Sequence, residues 1–202
     1  MALTLTIDMV SIAKSIDNSS AFLNAFIPFL RNPAVKEEFG QRYIDEMIER
    51  MDRGIDKDGR AFQRYSRAYK QSEAFQAFGK TNDVNLKLRG SMRASLDVVK
   101  TTATGVTIGF NSKKEERKAI GHVEGRGNLP VRDFFGLPKK EEEALMKSVV
   151  REFKDNNLDT IQFPDLASVG LSPTQALALV ASSTPTQVAV STLFADDFFG
   201  DF

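Results

Sequence analysis

The sequence predicts an α+β fold in which helices pack against a small, mostly antiparallel sheet and the chain continues into a C-terminal extension. Three observations lead to this prediction: an alternating apolar pattern near the N terminus, amphipathic helical patterns with start and stop signals, and a short hairpin between them. The composition changes completely after the last helical pattern. We therefore expect one domain over residues 1–157 and an extended, acidic, Phe-tipped segment over residues 158–202.

The N-terminal part of the chain is predicted to hold one strand and two helices. Apolar and polar residues alternate over residues 3–10, which is the pattern of a half-buried strand. Asp17 or Asn18 is expected to cap a helix whose internal proline kinks or shortens it. A longer helix begins at Pro33, carries an apolar residue at every fourth position, and stops at Gly54. Its apolar stripe is expected to pack on the sheet.

Basic and aromatic residues are interleaved over residues 57–93, and two interpretations fit this pattern. Lysine and arginine neutralise phosphates while aromatic rings stack on bases, so the segment is typical of a nucleic-acid surface. The alternative is a solvated helix over residues 66–78, capped by Ser66, that turns its aromatic side chains inward. The candidates for contact with DNA or with an acidic partner are Arg60, Arg64, Arg67, Lys70, Arg89 and Arg93.

A hairpin and a short helix are predicted next. Strands are expected over residues 96–101 and 106–110, with the chain reversal at residues 103–105. Ser112 and Glu115 have the spacing of a capping box, which indicates that a short amphipathic helix begins there.

Residues 119–137, which we call the glycine-rich segment, contain too many glycines and prolines to be one helix or one strand throughout. A loop with so many defined turns is expected to present a positioned surface. Its side chains best suited to contact another protein are Arg126, Arg132, Phe134 and Phe135. The two phenylalanines have an alternative role, as a cap on the domain's own core.

The last predicted helix begins at Pro138, carries glutamates in its first turn, and stops at Asn156. After Lys154 the chain has no basic residue and ends in an acidic, aromatic sequence. We expect this tip to dock on another subunit, because exposure of phenylalanine side chains to water is unfavourable. A solvated tail is the alternative. The predicted anchors are Phe194, Phe198, Phe199 and Phe202.

The formal net charge of zero conceals an uneven distribution. All 27 Lys and Arg lie at or before Lys154 and six aspartates follow it, so the first 154 residues carry a surplus of six positive charges. A basic body and an acidic tail suggest that the tail meets the basic surface of its own or a neighbouring subunit.

The composition also excludes several kinds of site. Without cysteine there can be no disulfide or thiolate metal site, and the single histidine cannot form a histidine metal cluster within one subunit. His122 has no Ser, Cys or carboxylate partner at a recognisable catalytic spacing, so we expect a structural hydrogen-bonding role for it. We therefore predict a non-enzymatic protein without a metal or cofactor. No apolar run approaches the ~20 residues of a membrane span, so no membrane association is expected.

The glycine-rich segment carries a resemblance to a known family. Its residue order, followed by a charged amphipathic helix, resembles the signature of the tailed-phage virion-morphogenesis (tail-completion) family. The matching residues are Ala119, His122, Gly125, Pro130, Arg132, Phe134, Phe135, Gly136 and Leu137. Weaker similarity extends over residues 59–62 and 88–92, so the resemblance covers roughly residues 35–155.

The resemblance implies a structural component of a tailed-phage virion at the head–tail junction, with a tail-completion, neck or tail-terminator role. It implies a ring of copies, six with twelve as the alternative, assembled in the host cytoplasm. The expected partners are other copies and the neighbouring neck, connector or tail-tube proteins, with genome DNA in the lumen as a further candidate. The competing interpretation is a nucleic-acid-binding protein that uses residues 57–93 and recruits a partner through its acidic tail.

Overall fold

The computed structural model of the protein describes residues 2–157, except for residues 88 and 128. The segment predicted as an extension, residues 158–202, lies outside the described residues. The described chain forms three strands and eight helices, which confirms the α+β prediction. In chain order these are β1 (Leu5–Asp8), α1 (Met9–Ile16), α2 (Ser20–Leu30), α3 (Pro33–Asp52), α4 (Arg67–Lys70), α5 (Glu73–Ala77), α6 (Ser91–Ala94), β2 (Leu96–Thr101), β3 (Gly105–Phe110), α7 (Lys113–Glu124) and α8 (Lys139–Asn157).

The strands form one antiparallel sheet in the order β1-β3-β2. In its apolar face, Ile7 of β1 pairs with Val106 of β3, and both side chains are buried together with Ile108. Helix α3 lies very close to the sheet at Gly40. A Cβ atom built on this glycine would lie only 2.4 Å from Cγ2 of Val98, which is too close for any side chain. A glycine at this position therefore allows the helix to pack against β2 at this distance.

Helix α3 contributes five buried apolar side chains to the hydrophobic core. The buried side chains on its inner face recur every fourth residue, as the sequence predicted, and are Phe39, Tyr43, Met47 and Met51. The aromatic ring of Phe26 in α2 contacts that of Phe153 in α8, with centroids 5.1 Å apart, in the same core. α3 is thus covered by the sheet and by two helices from opposite ends of the domain.

Two polar side chains of α3 hold the start of α8. The hydroxyl of Tyr43 donates a hydrogen bond to the Glu142 carboxylate at 2.6 Å and accepts one from the backbone N–H of Leu137 at 3.0 Å. The buried guanidinium of Arg50 pairs with the Glu141 carboxylate. Burial and the neighbouring Glu142 raise the pKa of Tyr43, so this phenol stays protonated and can keep donating.

The predicted strand over residues 3–10 is too long. The strand ends at Asp8, and α1 begins at Met9, a helix that the sequence prediction missed. The Asp8 carboxylate caps α1 by accepting a hydrogen bond from the backbone N–H of Ser11 at 3.1 Å. Met9 is fully buried as the first residue of that helix, so its place in the alternating pattern was not diagnostic of a strand.

The cap of α2 also differs from the prediction. Ser19 caps the helix, with its hydroxyl accepting from the backbone N–H of Phe22 at 3.4 Å, rather than Asp17 or Asn18. Asp17 instead accepts a hydrogen bond from the N–H of Ser19. The helix ends two residues after its internal proline.

The single helix predicted over residues 66–78 is two short helices. Ser66 caps α4 as predicted, but Ser72 caps α5 and therefore starts a new helix. The predicted capping box at the start of α7 does not form, since the Ser112 side chain makes no capping hydrogen bond. Glu115 is buried and instead accepts hydrogen bonds from Ser91 and Lys118.

We expect Tyr43→Phe to lower the free energy of unfolding by about 1–3 kcal/mol, because it leaves the buried N–H of Leu137 without an acceptor and removes the bond to Glu142. Urea denaturation at pH 7 measures the change. Gln41→Ala, which removes only an exposed hydrogen bond to Asp45 on the same helix, is the matched control and should change stability by less than about 0.5 kcal/mol. Equal effects of the two substitutions would contradict this role of Tyr43.

Candidate interaction surface

The glycine-rich segment begins as the last turn of α7 and then folds back over it. Gly125 has a left-handed backbone, with φ at +68°, and a Cβ atom built on it would lie 2.7 Å from Cγ2 of Val131. The backbone N–H of Arg126 donates to the carbonyl of Gly121 at 3.0 Å, and that of Arg132 donates to the carbonyl of His122 at 2.8 Å. The segment itself therefore satisfies carbonyl groups at the end of the helix.

Arg132 anchors the segment to the preceding part of the chain. Its side chain is only 4% exposed, and its Nε and Nη2 atoms donate to the backbone carbonyl of Gln63 at 3.1 and 2.8 Å. The guanidinium also lies over the ring of Tyr65, 5.3 Å from the ring centroid. Burial lowers the pKa of Arg132 from its ordinary value.

Phe134 and Phe135 are both buried and belong to the domain's hydrophobic core. The ring of Phe135 stacks on that of Phe110 at the end of β3, with centroids 5.6 Å apart. The structure therefore favours the alternative in which these phenylalanines cap the core. Since Arg132 is buried as well, the expectation of direct partner contact through these three side chains is corrected: they position the segment, and its exposed residues form its outer surface.

The exposed part of the segment is an aliphatic pair that the sequence analysis did not select. Leu129 is 44% exposed and Val131 is 60% exposed, and the two are separated by one proline. Cδ1 of Leu129 would lie 3.4 Å from a Cβ atom built on Gly121, so Leu129 rests on the α7 backbone. The predicted interface residue Arg126 is exposed beside them and pairs with Glu124 at 2.5 Å.

Helix α7 carries a basic stripe on the same side as this pair. Lys114, Arg117 and Lys118 are all exposed. They precede Gly121 by seven, four and three residues, so they lie on the same face of α7 as Gly121. Leu129 covers this face at the C-terminal end of the helix. We call these three cations, together with Arg126, Leu129 and Val131, the α7 surface.

The acidic residues of the first turn of α7 do not neutralise this stripe fully. Glu116 accepts a hydrogen bond from the backbone N–H of Leu3 at 2.8 Å, which turns its carboxylate toward the N terminus of the chain. Glu115 is buried and pairs with Lys118 at 2.8 Å. The α7 surface therefore combines an exposed aliphatic pair with a surplus of positive charge.

The basic segment over residues 57–93 is divided between core and surface. Arg93 is buried and pairs with the Asp52 carboxylate at 2.5 Å, so it is corrected from a candidate for DNA contact to a structural residue. Arg60, Arg64, Arg67 and Arg89 are exposed and Lys70 is half-buried. The hydrogen bonds from Arg93 lower the pKa of Asp52, which keeps the pair charged.

The aromatic residues of this segment pack mainly on one another. Tyr65, Tyr69 and Phe75 form a cluster with centroid distances between 5.1 and 5.6 Å, and Phe75 is buried. Phe78 is 42% exposed, but the guanidinium of Arg89 lies over its ring at 5.1 Å. The packing of Tyr65, Tyr69 and Phe75 thus agrees with the predicted inward-facing aromatic side chains, whereas Phe78 is exposed. The single helix predicted to carry them is two short helices.

His122 is largely enclosed where α7 meets the glycine-rich segment. Its backbone carbonyl accepts the hydrogen bond from Arg132, but its Nδ1 atom is buried with no hydrogen-bond partner among the described residues. Burial, together with the charge of Arg132, lowers the pKa of His122 to about 4. The imidazole is therefore neutral at pH 7. The structural hydrogen bond predicted for this side chain is not made by its buried Nδ1, and only the backbone carbonyl of His122 accepts one from the described residues.

The described residues contain no group of three or more His, Asp or Glu side chains arranged to hold a metal ion. Within the same part of the chain, no helix combines the length and the hydropathy that a membrane span requires. The predicted tail anchors Phe194, Phe198, Phe199 and Phe202 lie outside the described residues.

No protein-family model matches the chain, and no curated protein or solved structure is significantly similar to it. The resemblance of the glycine-rich segment to the tailed-phage virion-morphogenesis family therefore stays a prediction.

We expect the protein to lose about 1–2 kcal/mol of stability between pH 7 and pH 5 through His122. In the unfolded chain the imidazole titrates near its ordinary pKa of ~6.5, whereas in the folded chain its pKa is about 4, so the unfolded state binds more protons in this range. Partial exposure of the ring keeps the expected loss below the full value of the pKa shift.

Urea denaturation at pH 7 and pH 5 measures this loss, with His122→Gln as the non-titrating comparison. Burial raises the pKa of Asp133, which contributes in the opposite direction in both proteins and so cancels from the comparison. A wild-type pH dependence that persists unchanged in His122→Gln would show that another group is responsible.

Proposed function

We propose that the protein is a non-enzymatic structural component of a tailed-phage virion at the head–tail junction, with a tail-completion, neck or tail-terminator role. Its place would then be the neck or the head-proximal end of the tail. The observation that carries this proposal is that the residues of the resemblance include the buried supports of an exposed apolar surface. Arg132, Phe134 and Phe135 hold the segment in place, and Leu129 and Val131 project from it.

Such an arrangement suits assembly because rigid support and an exposed aliphatic pair reduce the entropy lost when a partner binds. The rim of the pair is charged, which is typical of an interface in which apolar contacts give affinity and charges give orientation. We propose that copies associate through a heterologous contact that closes into a ring. Six copies are favoured and twelve are the alternative, with the remaining faces of the ring in contact with neck, connector or tail-tube proteins.

The same proposal includes the absence of catalysis and of a cofactor. His122 is the only histidine of the chain, it is held neutral, and its charged neighbour is Arg132 rather than a nucleophile or a carboxylate. A neutral imidazole with a pKa of about 4 is a weak general base at pH 7. Its contribution to the shape of the segment is therefore the role that we propose for it.

A second candidate function is nucleic-acid binding through residues 57–93. The exposure of Arg60, Arg64, Arg67 and Arg89 favours it, because these side chains can reach phosphate groups. The inward packing of Tyr65, Tyr69 and Phe75 removes these rings from base stacking, so contact with the backbone of a duplex is the form that the surface allows.

A salt titration of duplex-DNA binding tests this candidate. If two phosphates or more are contacted, the logarithm of the binding constant should fall with the logarithm of the salt concentration with a slope of about −2 or steeper. Arg64→Ala with Arg67→Ala should flatten that slope, whereas Arg93→Ala should act on stability. No binding at low salt would remove the candidate.

For the assembly function, we expect Leu129→Ser with Val131→Ser to leave the melting temperature nearly unchanged and to leave phage heads and tails unjoined. Both side chains are exposed, so their replacement costs little folding free energy, yet it removes the apolar part of the surface. Complementation of a phage that lacks the protein, followed by electron microscopy of the particles, provides the measurement.

Val99→Ser is the matched control, because Val99 is a similarly exposed aliphatic residue on β2. Full infectivity of the Leu129/Val131 double variant would contradict the assembly role of the segment. Cryo-electron microscopy of purified particles that places the protein away from the head–tail junction would contradict the function itself.

A further inference from the structure

We propose that the α7 surface binds residues 193–202 of a second copy of this chain. The inference rests on the proposed function in one respect, namely that neighbouring copies stand close enough for one chain to reach the next. It adds the identity of the occupant and the face of the domain that receives it.

The apolar half of the surface is shaped to accept a side chain. Leu129 and Val131 are separated only by Pro130, and both are well exposed. Leu129 rests on Gly121 and Val131 rests on Gly125, so neither can move inward to leave the water. A fixed pair of exposed aliphatic side chains on a helix end is suited to contact an aromatic ring from a partner.

The charged half restricts the kind of partner. Lys114, Arg117 and Lys118 lie along the same helix face, and only Lys118 is paired with a carboxylate of the helix, Glu115. Arg126 lies next to the aliphatic pair, because its backbone carbonyl accepts a hydrogen bond from the N–H of Leu129 at 3.4 Å, and its side chain pairs with Glu124. The fitting partner therefore carries aromatic residues and carboxylates next to each other.

The chain contains such a sequence. Residues 193–202 read LFADDFFGDF, in which two aspartates are flanked by phenylalanines on both sides and a third aspartate follows. No lysine or arginine occurs after Lys154, so nothing in this segment opposes the cations of α7. The aromatic and acidic residues of this segment are thus of the kinds that complement the aliphatic and basic residues of the α7 surface.

Other exposed apolar residues of the described chain are less suited to this role. Val99 stands alone on β2 and packs over Gly109, because a Cβ atom built on Gly109 would lie 3.1 Å from Cγ1 of Val99. The ring of Phe78 is already covered on one side by Arg89. Neither site combines two adjacent aliphatic side chains with a basic stripe.

Disulfide trapping tests the inference, because the natural sequence has no cysteine that could interfere. Full-length Val131→Cys and full-length Ala195→Cys are purified separately, mixed, and oxidised under mild conditions. We expect a disulfide-linked heterodimer, recognised by a size tag on one of the two chains. Val99→Cys mixed with Ala195→Cys is the matched control. The yield of its heterodimer should be about tenfold lower, which corresponds to a difference of ~1.4 kcal/mol in docking free energy.

A charge exchange then tests the complementarity. Lys114→Glu with Arg117→Glu in the Val131→Cys chain should reduce trapping about tenfold, and Asp196→Lys with Asp197→Lys in the Ala195→Cys chain should restore it. Each variant is first checked by its melting temperature, because only folded chains inform on docking. If the exchanged charges restore trapping, the loss of trapping in the first variant cannot be explained by misfolding of that chain.

Three results would overturn the inference: equal trapping at Val99 and Val131, trapping that ignores the charge exchange, or a monomeric internal disulfide as the main product of a Val131→Cys/Ala195→Cys double variant. These assays use purified protein, so they are independent of phage particles. If trapping fails while the protein is found at the head–tail junction, only this inference fails. If trapping succeeds while the protein is absent from particles, only the proposed function fails.

Discussion

The hydroxyl group of Tyr43 is the contact on which the geometry of the domain depends most. Tyr43 lies in the middle of α3. Its hydroxyl accepts a hydrogen bond from the N–H of Leu137, at the end of the glycine-rich segment, and donates one to Glu142 in the first turn of α8. One buried hydroxyl group thus fixes both the position at which the glycine-rich segment ends and the position at which α8 begins. Because a buried polar group without a partner is costly, this arrangement has few alternatives of similar energy.

Three buried guanidinium groups extend the same logic across the domain. Arg50 joins α3 to α8, Arg93 joins α6 to the end of α3, and Arg132 joins the glycine-rich segment to Gln63. Each of them makes planar, multivalent hydrogen bonds that a lysine could not reproduce. The positive charge of the body is consequently of two kinds: cations used internally to connect elements, and exposed cations that are available to a partner.

The sequence was most informative where one physical effect dominated. The stripe of α3, the hairpin and α8 followed from periodicity and capping signals, and all three are present. Local patterns were insufficient where two effects competed. Asp8 fits the end of a strand as well as the cap of a helix, and a Ser at position 72 interrupts a helix that its neighbours would continue. Arg132 is predicted as a contact residue because its guanidinium can bind a carboxylate in a planar, bidentate way, yet only the tertiary packing shows that this group is enclosed by Tyr65 and Gln63. Leu129 and Val131 gave no signal, since an exposed aliphatic residue differs from a buried one only in its tertiary surroundings.

The topology of the sheet has a consequence for the order of events during synthesis. The central strand, β3, lies about a hundred residues after β1 in the chain, and among the described residues β1 pairs with no other strand. The first strand must therefore wait until about a hundred further residues have been made before β3 can satisfy its hydrogen-bonding groups. During that interval α3 is already complete, while the sheet face that covers it is not. A nascent chain of this protein thus exposes its main apolar stripe and an unpaired strand together, a combination that is prone to aggregation until the hairpin forms.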